Sequence, residues 1–120
     1  MKYYLLLAIS ILFNCTSLVL LKKGTFIGYD FFSNIKKISS WVDLFTNSYF
    51  LLSILFFVFG AVTWVITLTK LDLSLAYPAV SISYIIVAIA SYYLFHEAIT
   101  LNRLLGIGII ILGVIIMFKK

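Results

Sequence analysis

The sequence predicts an all-α, polytopic membrane protein with four transmembrane helices, and two observations carry the prediction. Of 120 residues, 64% are hydrophobic and 11% charged, with a mean hydropathy of +1.20, which is more apolar surface than so short a chain can hide from water. These residues also gather into runs near the roughly 20 residues with which an α-helix crosses about 30 Å of hydrocarbon. Helices are expected over about 3–21, 48–70, 73–95 and 101–118, with an interfacial helix over about 31–45. Together they form one transmembrane domain, 1–120, with no linker and no Walker-type glycine loop to suggest a soluble catalytic unit. No enzymatic activity, cofactor or metal site is expected.

The first run opens "MKYYLLLAISILFNC", a lysine followed by apolar residues, which is also how a cleaved secretory signal begins. Signal peptidase sites need small residues before the cut, and Phe13 and Asn14 are large or polar, so a retained helix is expected. Ser10, Asn14 and Ser17 share one face of it at spacings of four and three. Cys15 is the sole cysteine; with no second thiol and one distant histidine, it reads as a small residue packed in a helix.

The loop after this span reads "GTFIGYDFFSNIKKISSWVDLFTN". Phe31, Ile35, Ile38, Val42 and Phe45 fall on one helical face, while Asn34, Lys36, Lys37, Ser40 and Asp43 point elsewhere. Such a helix lies flat in the interface, a depth that suits the rings of Trp41 and Tyr29. Anchoring is the expected role, and capping the entrance of a lipid substrate is the alternative.

In a soluble protein the net charge of +5 would suggest nucleic acid. Here the basic residues sit at the ends of apolar runs, where they meet headgroups, so membrane lipids and not nucleic acid are the expected partners. Lys2, Lys70, Lys119 and Lys120 fall on one side, and Lys22, Lys23, Lys36, Lys37 and Arg103 on the other. So even a balance specifies orientation weakly, as expected of subunits that pair antiparallel, unless lipids or the insertion machinery impose one orientation.

The second span carries Ser53, Gly60, Thr63, Thr67 and Lys70 along one face. In the third, Ser74, Tyr77, Ser81, Tyr84, Ala88 and Ser91 alternate steps of three and four, which at 100° per residue is a sector roughly 100° wide. Polar groups facing lipid are costly, so these stripes should turn toward one another or toward a hydrated cavity. Bonding back to the helix and close packing account for Ser53, Thr67 and Ser91. Tyr77, Ser81, Tyr84 and Asn14, with larger polar groups or nearer mid-membrane, are expected to line a substrate path. Pro78 has two readings: a helix pivot, if its missing N–H loosens the bonding near Ser74, or a tolerated first-turn residue, if the helix starts at Asp72 or Ser74. In the fourth span Gly106 and Gly113 share a face, with Gly108 nearby. A dimer seam is expected there, and packing within the chain's own bundle is the alternative.

The order of the helices, "LAYP" from Leu75 to Pro78, "HEAIT" from His96 to Thr100 and the following "GIGIIILGVIIM" resemble the drug/metabolite transporter superfamily in its smallest, four-helix form. Lys70 to Ser91 is most similar to the flippase subunits for 4-amino-4-deoxy-L-arabinose-phosphoundecaprenol, the Arn type, and more distantly to the small multidrug resistance exporters. The resemblance covers Phe57 to Phe118 well, Lys2 to Lys22 loosely, and the long first loop poorly. Where the exporters carry a membrane-embedded glutamate in the first helix, this chain has Asn14, which cannot titrate. Their third-helix tryptophan falls at Val80, although Tyr77 is kept. Asp30, Asp43, Asp72 and Glu97 all lie at loops or helix ends.

The resemblance implies a flippase subunit that moves an undecaprenyl-phosphate aminosugar, or a related lipid-linked sugar phosphate, across the bacterial inner membrane. It would work by alternating access, as a homodimer or a heterodimer with a homologous subunit. The anionic phosphate asks for basic groups near the interface, met by Lys22 and Lys70; the sugar asks for exchangeable hydrogen bonds, met by Asn14, Tyr77, Ser81 and Tyr84. Glu97 would receive a sugar amine, pair with Arg103 or cap a helix, and for the two lysines snorkelling to headgroups is the alternative. The runner-up function is export of small organic cations with a carboxylate borrowed from a partner subunit. A third reading is a non-transporting scaffold.

Overall fold

Gly24 and Asn47 fix the first helix pair. Helix α1 (Lys2–Phe26) meets neither glycine nor proline until Gly24, near its end. After it the chain returns through α2 (Ile38–Thr46) to α3 (Ser48–Leu68). Asn47 stands between these two with extended backbone; its Oδ1 accepts from the N–H of Tyr49 at 2.9 Å and of Phe50 at 3.4 Å, and its Nδ2 donates to the Gly24 carbonyl at 3.3 Å. One side chain thereby caps the start of α3 and ties it to the end of α1. The remaining helices are α4 (Leu73–Ala79), α5 (Ile82–Phe95) and α6 (Leu101–Phe118). This computed structural model describes residues 2–26 and 36–119, which are almost entirely helical and contain no strand.

Lys2–Thr25, Ser48–Leu68, Leu73–Phe95 and Leu101–Phe118 are each long and apolar enough to cross a membrane. Four apolar helices make this a multi-pass membrane protein. Lys2, Lys70 and Lys119 lie at one end of the helices and Lys22, Asn47, Glu97 and Arg103 at the other, here called the Lys2 end and the Lys22 end.

The antiparallel seam between α1 and α3 is the most extensive helix contact. Small buried residues recur along it every seven positions, Ser10, Ser17 and Gly24 on one helix and Ser53, Gly60 and Thr67 on the other. A seven-residue period keeps one face toward the partner, and small residues let the backbones approach where lipid supplies no hydrophobic drive. Ser17 Oγ donates across the seam to the Ser53 carbonyl at 2.8 Å. Thr67 Oγ1 donates back to Thr63 O at 2.8 Å within α3. These stripes therefore glue helices together. Leu7, Ile11, Cys15, Ala76 and Ala79 form the small apolar core, while most large aliphatic side chains point outward, as lipid contact allows.

One expectation changes. The third span is not a uniform α-helix: Val80 and Ser81 form a tight turn in which Val80 N–H bonds Tyr77 O at 3.1 Å and Ser81 N–H bonds Pro78 O at 3.0 Å. Pro78 supplies no N–H and its ring crowds the carbonyl four residues back, so the bonding tightens to three-residue spacing. It sits near the end of α4, not in a first turn. The α2 helix is described from Ile38, and Tyr29, Phe31, Asn34 and Ile35 lie outside the described residues. Ile38, Trp41, Val42 and Phe45 are exposed, Ser40 is buried, and Phe45 meets Phe50 edge-on at 5.5 Å.

Candidate functional site

A cavity of about 360 Å³ opens between α1, α3 and the α4–α5 turn. Its wall combines Ser10 and Asn14 of α1, Phe57 and Trp64 of α3, Tyr77 of α4, Val80 of the break and Ser83 of α5. At about 1.5 Å per residue, Asn14 lies roughly 18 Å from the Lys2 end of its helix, near mid-membrane, whereas Trp64 and Tyr77 each lie about 6 Å from theirs. Their rings meet edge-on with centroids 6.5 Å apart. Tyr77 is 69% exposed, which puts it on the open rim of the cavity. Asn14 Nδ2 donates to the Ser10 carbonyl at 2.8 Å, which leaves the amide oxygen for a guest. The cavity thus offers neutral hydrogen-bonding groups at depth and aromatic faces at its mouth.

A second cavity, about 350 Å³, lies between α5 and α6 toward the Lys22 end. Tyr84, Ser91, Glu97 and Arg103 line it, with Gly106 and apolar groups. Glu97 follows His96, whose left-handed backbone (φ 53°) ends α5 and turns the chain toward α6. The Glu97 carboxylate forms an ion pair with Lys22 of α1, whose ammonium also sits 4.7 Å from the centre of the Phe95 ring. Hydrogen bonding from Lys22 holds the Glu97 carboxyl below its ordinary value; partial desolvation opposes this, and Ser91 and Arg103 add to the lowering. Pairing with Arg103 was one expectation for Glu97, and the contact is instead with Lys22. The cap of α6 is Thr100, whose Oγ1 accepts from Arg103 N–H at 3.4 Å.

The sequence-predicted site residues are therefore divided. Asn14 and Tyr77 share the first cavity, and Tyr84 and Glu97 the second. The third-span stripe is interrupted by the tight turn at Val80 and Ser81, and the residues on its two sides line different cavities. Ser81 sits in that turn with its hydroxyl donating to Pro78 O at 2.7 Å. Lys70 is exposed at the end opposite Lys22. Gly106 and Gly113 have open space where a β-carbon would stand, on a helix with no buried residue.

Comparison with known proteins adds a decisive observation: the profile of the EamA-like transporter family matches residues 1–119. The chain belongs to the EamA-like transporter family. Within it, this transporter chain is 32% identical over 98% of its length, and 96% of the relative's, to the probable 4-amino-4-deoxy-L-arabinose-phosphoundecaprenol flippase subunit ArnE of Hamiltonella defensa. It is 37% identical to the probable ArnE subunit of Aeromonas salmonicida over 66% of this chain and 68% of that one. The probable flippase subunit ArnF of Proteus mirabilis is 32% identical over 67% of this chain and 62% of its own. No solved structure matches the chain.

Sequence reasoning missed Phe57, Trp64 and Ser83 among the lining residues of this EamA-like chain, and Trp64 is the most telling of them. A tryptophan one turn from a helix end reads as an interfacial anchor. The available signal was its position three residues before Thr67, on the flank of the small-residue seam.

Proposed function

We propose that the chain is one subunit of a dimeric flippase that carries an undecaprenyl-phosphate aminosugar across the bacterial inner membrane by alternating access. The observation that carries this reading is the chemistry of the first cavity. Asn14 and Ser83 offer neutral hydrogen bonds, Trp64 and Tyr77 offer ring faces at an open rim, and the described spans hold no carboxylate. Hydroxyl, amide and aromatic groups suit a sugar, and an opening beside exposed apolar helices lets a polyprenyl tail remain in lipid. The relatives are named as probable flippase subunits for such a lipid, which supports the same substrate class. In this reading Pro78 is the pivot of the third span, Gly106 and Gly113 form the seam with the second subunit, α2 anchors in the interface, and the machinery performs no covalent chemistry. The lysines at the two ends, Lys22 and Lys70, attract the phosphate on either side.

Cation export is the poorer fit, because Asn14 cannot exchange protons for substrate. The test is deletion of the gene followed by complementation, with lipid A aminosugar content read by mass spectrometry. Wild type restores the modification and Asn14→Ala restores little of it. Unaltered modification in the deletion strain would overturn the reading.

A further inference from the structure

We propose that the cavity between α5 and α6 is a two-point site for a zwitterionic lipid headgroup, in which Glu97 receives the ammonium and Arg103 the phosphodiester. The inference rests on the flippase reading and adds the determinant by which an amino sugar is told from a neutral one.

The volume, about 350 Å³, lies in the roughly 300–1,000 Å³ range of small-molecule sites. Its wall carries both signs of charge, Glu97 and Arg103, beside the hydroxyls of Tyr84 and Ser91 and the apolar Val87 and Ile107. A ligand with only a phosphate makes no use of the carboxylate, and one with only an amine leaves the guanidinium unpaired. A headgroup with an amine on the sugar and a phosphodiester at its other end satisfies both. Arg103 makes no ion pair among the described residues, so its fork of donors is open to phosphate oxygens.

Lys22 explains how the site waits. Its ammonium occupies Glu97 in the same way that a sugar ammonium would, so binding exchanges one cation for another and leaves no carboxylate unpaired. A half-exposed ion pair contributes little net stability, which makes the exchange easy. Released Lys22, which is also held over Phe95, remains at the same membrane depth as the phosphate. Since Lys22 belongs to α1 and Glu97 to the α5–α6 link, headgroup binding also unfastens the contact that holds these elements together at this end.

The experiment uses the full chain in lipid nanodiscs and three probes: a polyprenyl phosphate bearing an amino sugar, the same lipid bearing a neutral sugar, and inorganic phosphate. Wild type is expected to prefer the amino-sugar lipid by a few-fold, because its ammonium takes the place of Lys22 on Glu97 and the freed Lys22 adds its charge near the phosphate. Glu97→Gln brings the ratio close to one. Arg103→Gln weakens both lipids about tenfold, and Arg103→Lys recovers part of the loss. Helicity by circular dichroism checks that each variant is folded, and Arg103→Lys serves where Arg103→Gln is not. If folded Glu97→Gln and Arg103→Gln bind both lipids as wild type does, this site is overturned while the flippase reading stands. Wild type that binds neither lipid overturns both, and binding of inorganic phosphate as tight as that of the lipids overturns the headgroup assignment alone.

Discussion

The Asn14 amide nitrogen lies 2.8 Å from the place a β-carbon on Gly60 would occupy. The absence of a side chain on α3 therefore sets where the polar group of α1 sits, and with it the depth at which the first cavity can hydrogen-bond a guest. Gly60→Ala forces the amide aside. The clash is with the end of a side chain, and alanine favours the helix by about 1 kcal/mol, so stability should change by less than about 1 kcal/mol. Transport is expected to fall about tenfold, because a displacement near 1 Å misplaces the contact. Complementation of lipid A modification measures this. Gly60→Ala in an Asn14→Ala background should add nothing further, since the clash then has no partner.

The break after Pro78 gives a second prediction, with opposite signs for stability and flux. Pro78→Ala restores an N–H that can bond Ser74 O and removes a residue that costs a helix interior about 3 kcal/mol. The third span then straightens, its thermal midpoint in detergent rises, and flux falls if the break is where the helix bends during transport. A straightened helix with wild-type flux would exclude the pivot.

The spans were legible in the sequence because lipid leaves a crossing segment little choice but helix. Ser53 and Thr67 were legible as glue for a related reason: position along a regular helix fixes which face a residue shares. Regularity is also where the reading failed. Treating Ser74 to Ser91 as one face assumes a constant turn per residue, and the three-residue bonding at Val80 and Ser81 breaks that assumption; Tyr77 and Tyr84 line different cavities. Lys22 and Glu97 were each legible at the same membrane side. Their contact was not, because a pair 75 residues apart depends on how α1 packs against the α5–α6 link, which helical periodicity does not contain.

That pair has a defined pH signature. The Glu97 carboxyl of the folded chain is lowered from the ordinary value of 4.5, chiefly by Lys22. Above 4.5 it is ionised folded or unfolded, and the pair's contribution is fully present. As pH falls through and below that value the unfolded chain takes up its proton first, so the contribution declines and is gone once the folded carboxyl is protonated too. The thermal midpoint of wild type should exceed that of Glu97→Gln by a constant margin at neutral pH and converge with it in acid. A margin that grew on acidification would contradict the assignment.

The open face of α6 yields the last prediction. A β-carbon at Gly106 or Gly113 would meet nothing within 4 Å in the single chain, so Gly106→Leu and Gly113→Leu should leave the fold of one subunit intact. If the two glycines form the seam with a second subunit, the added side chains hold the helices apart where close approach is the source of attraction. The dimer fraction, read by cysteine cross-linking in membranes, should then fall about tenfold for either variant, the result of losing roughly 1.4 kcal/mol of association. Gly108→Leu, about 200° around the helix from Gly106, should have little effect. For Gly113→Leu flux should follow the dimer fraction and recover with it when expression is raised, since mass action restores the pair without repairing any site; Gly106 also lines the α5–α6 cavity, so Gly106→Leu reports on the dimer fraction alone. An undiminished dimer fraction in Gly106→Leu and Gly113→Leu would place the seam elsewhere.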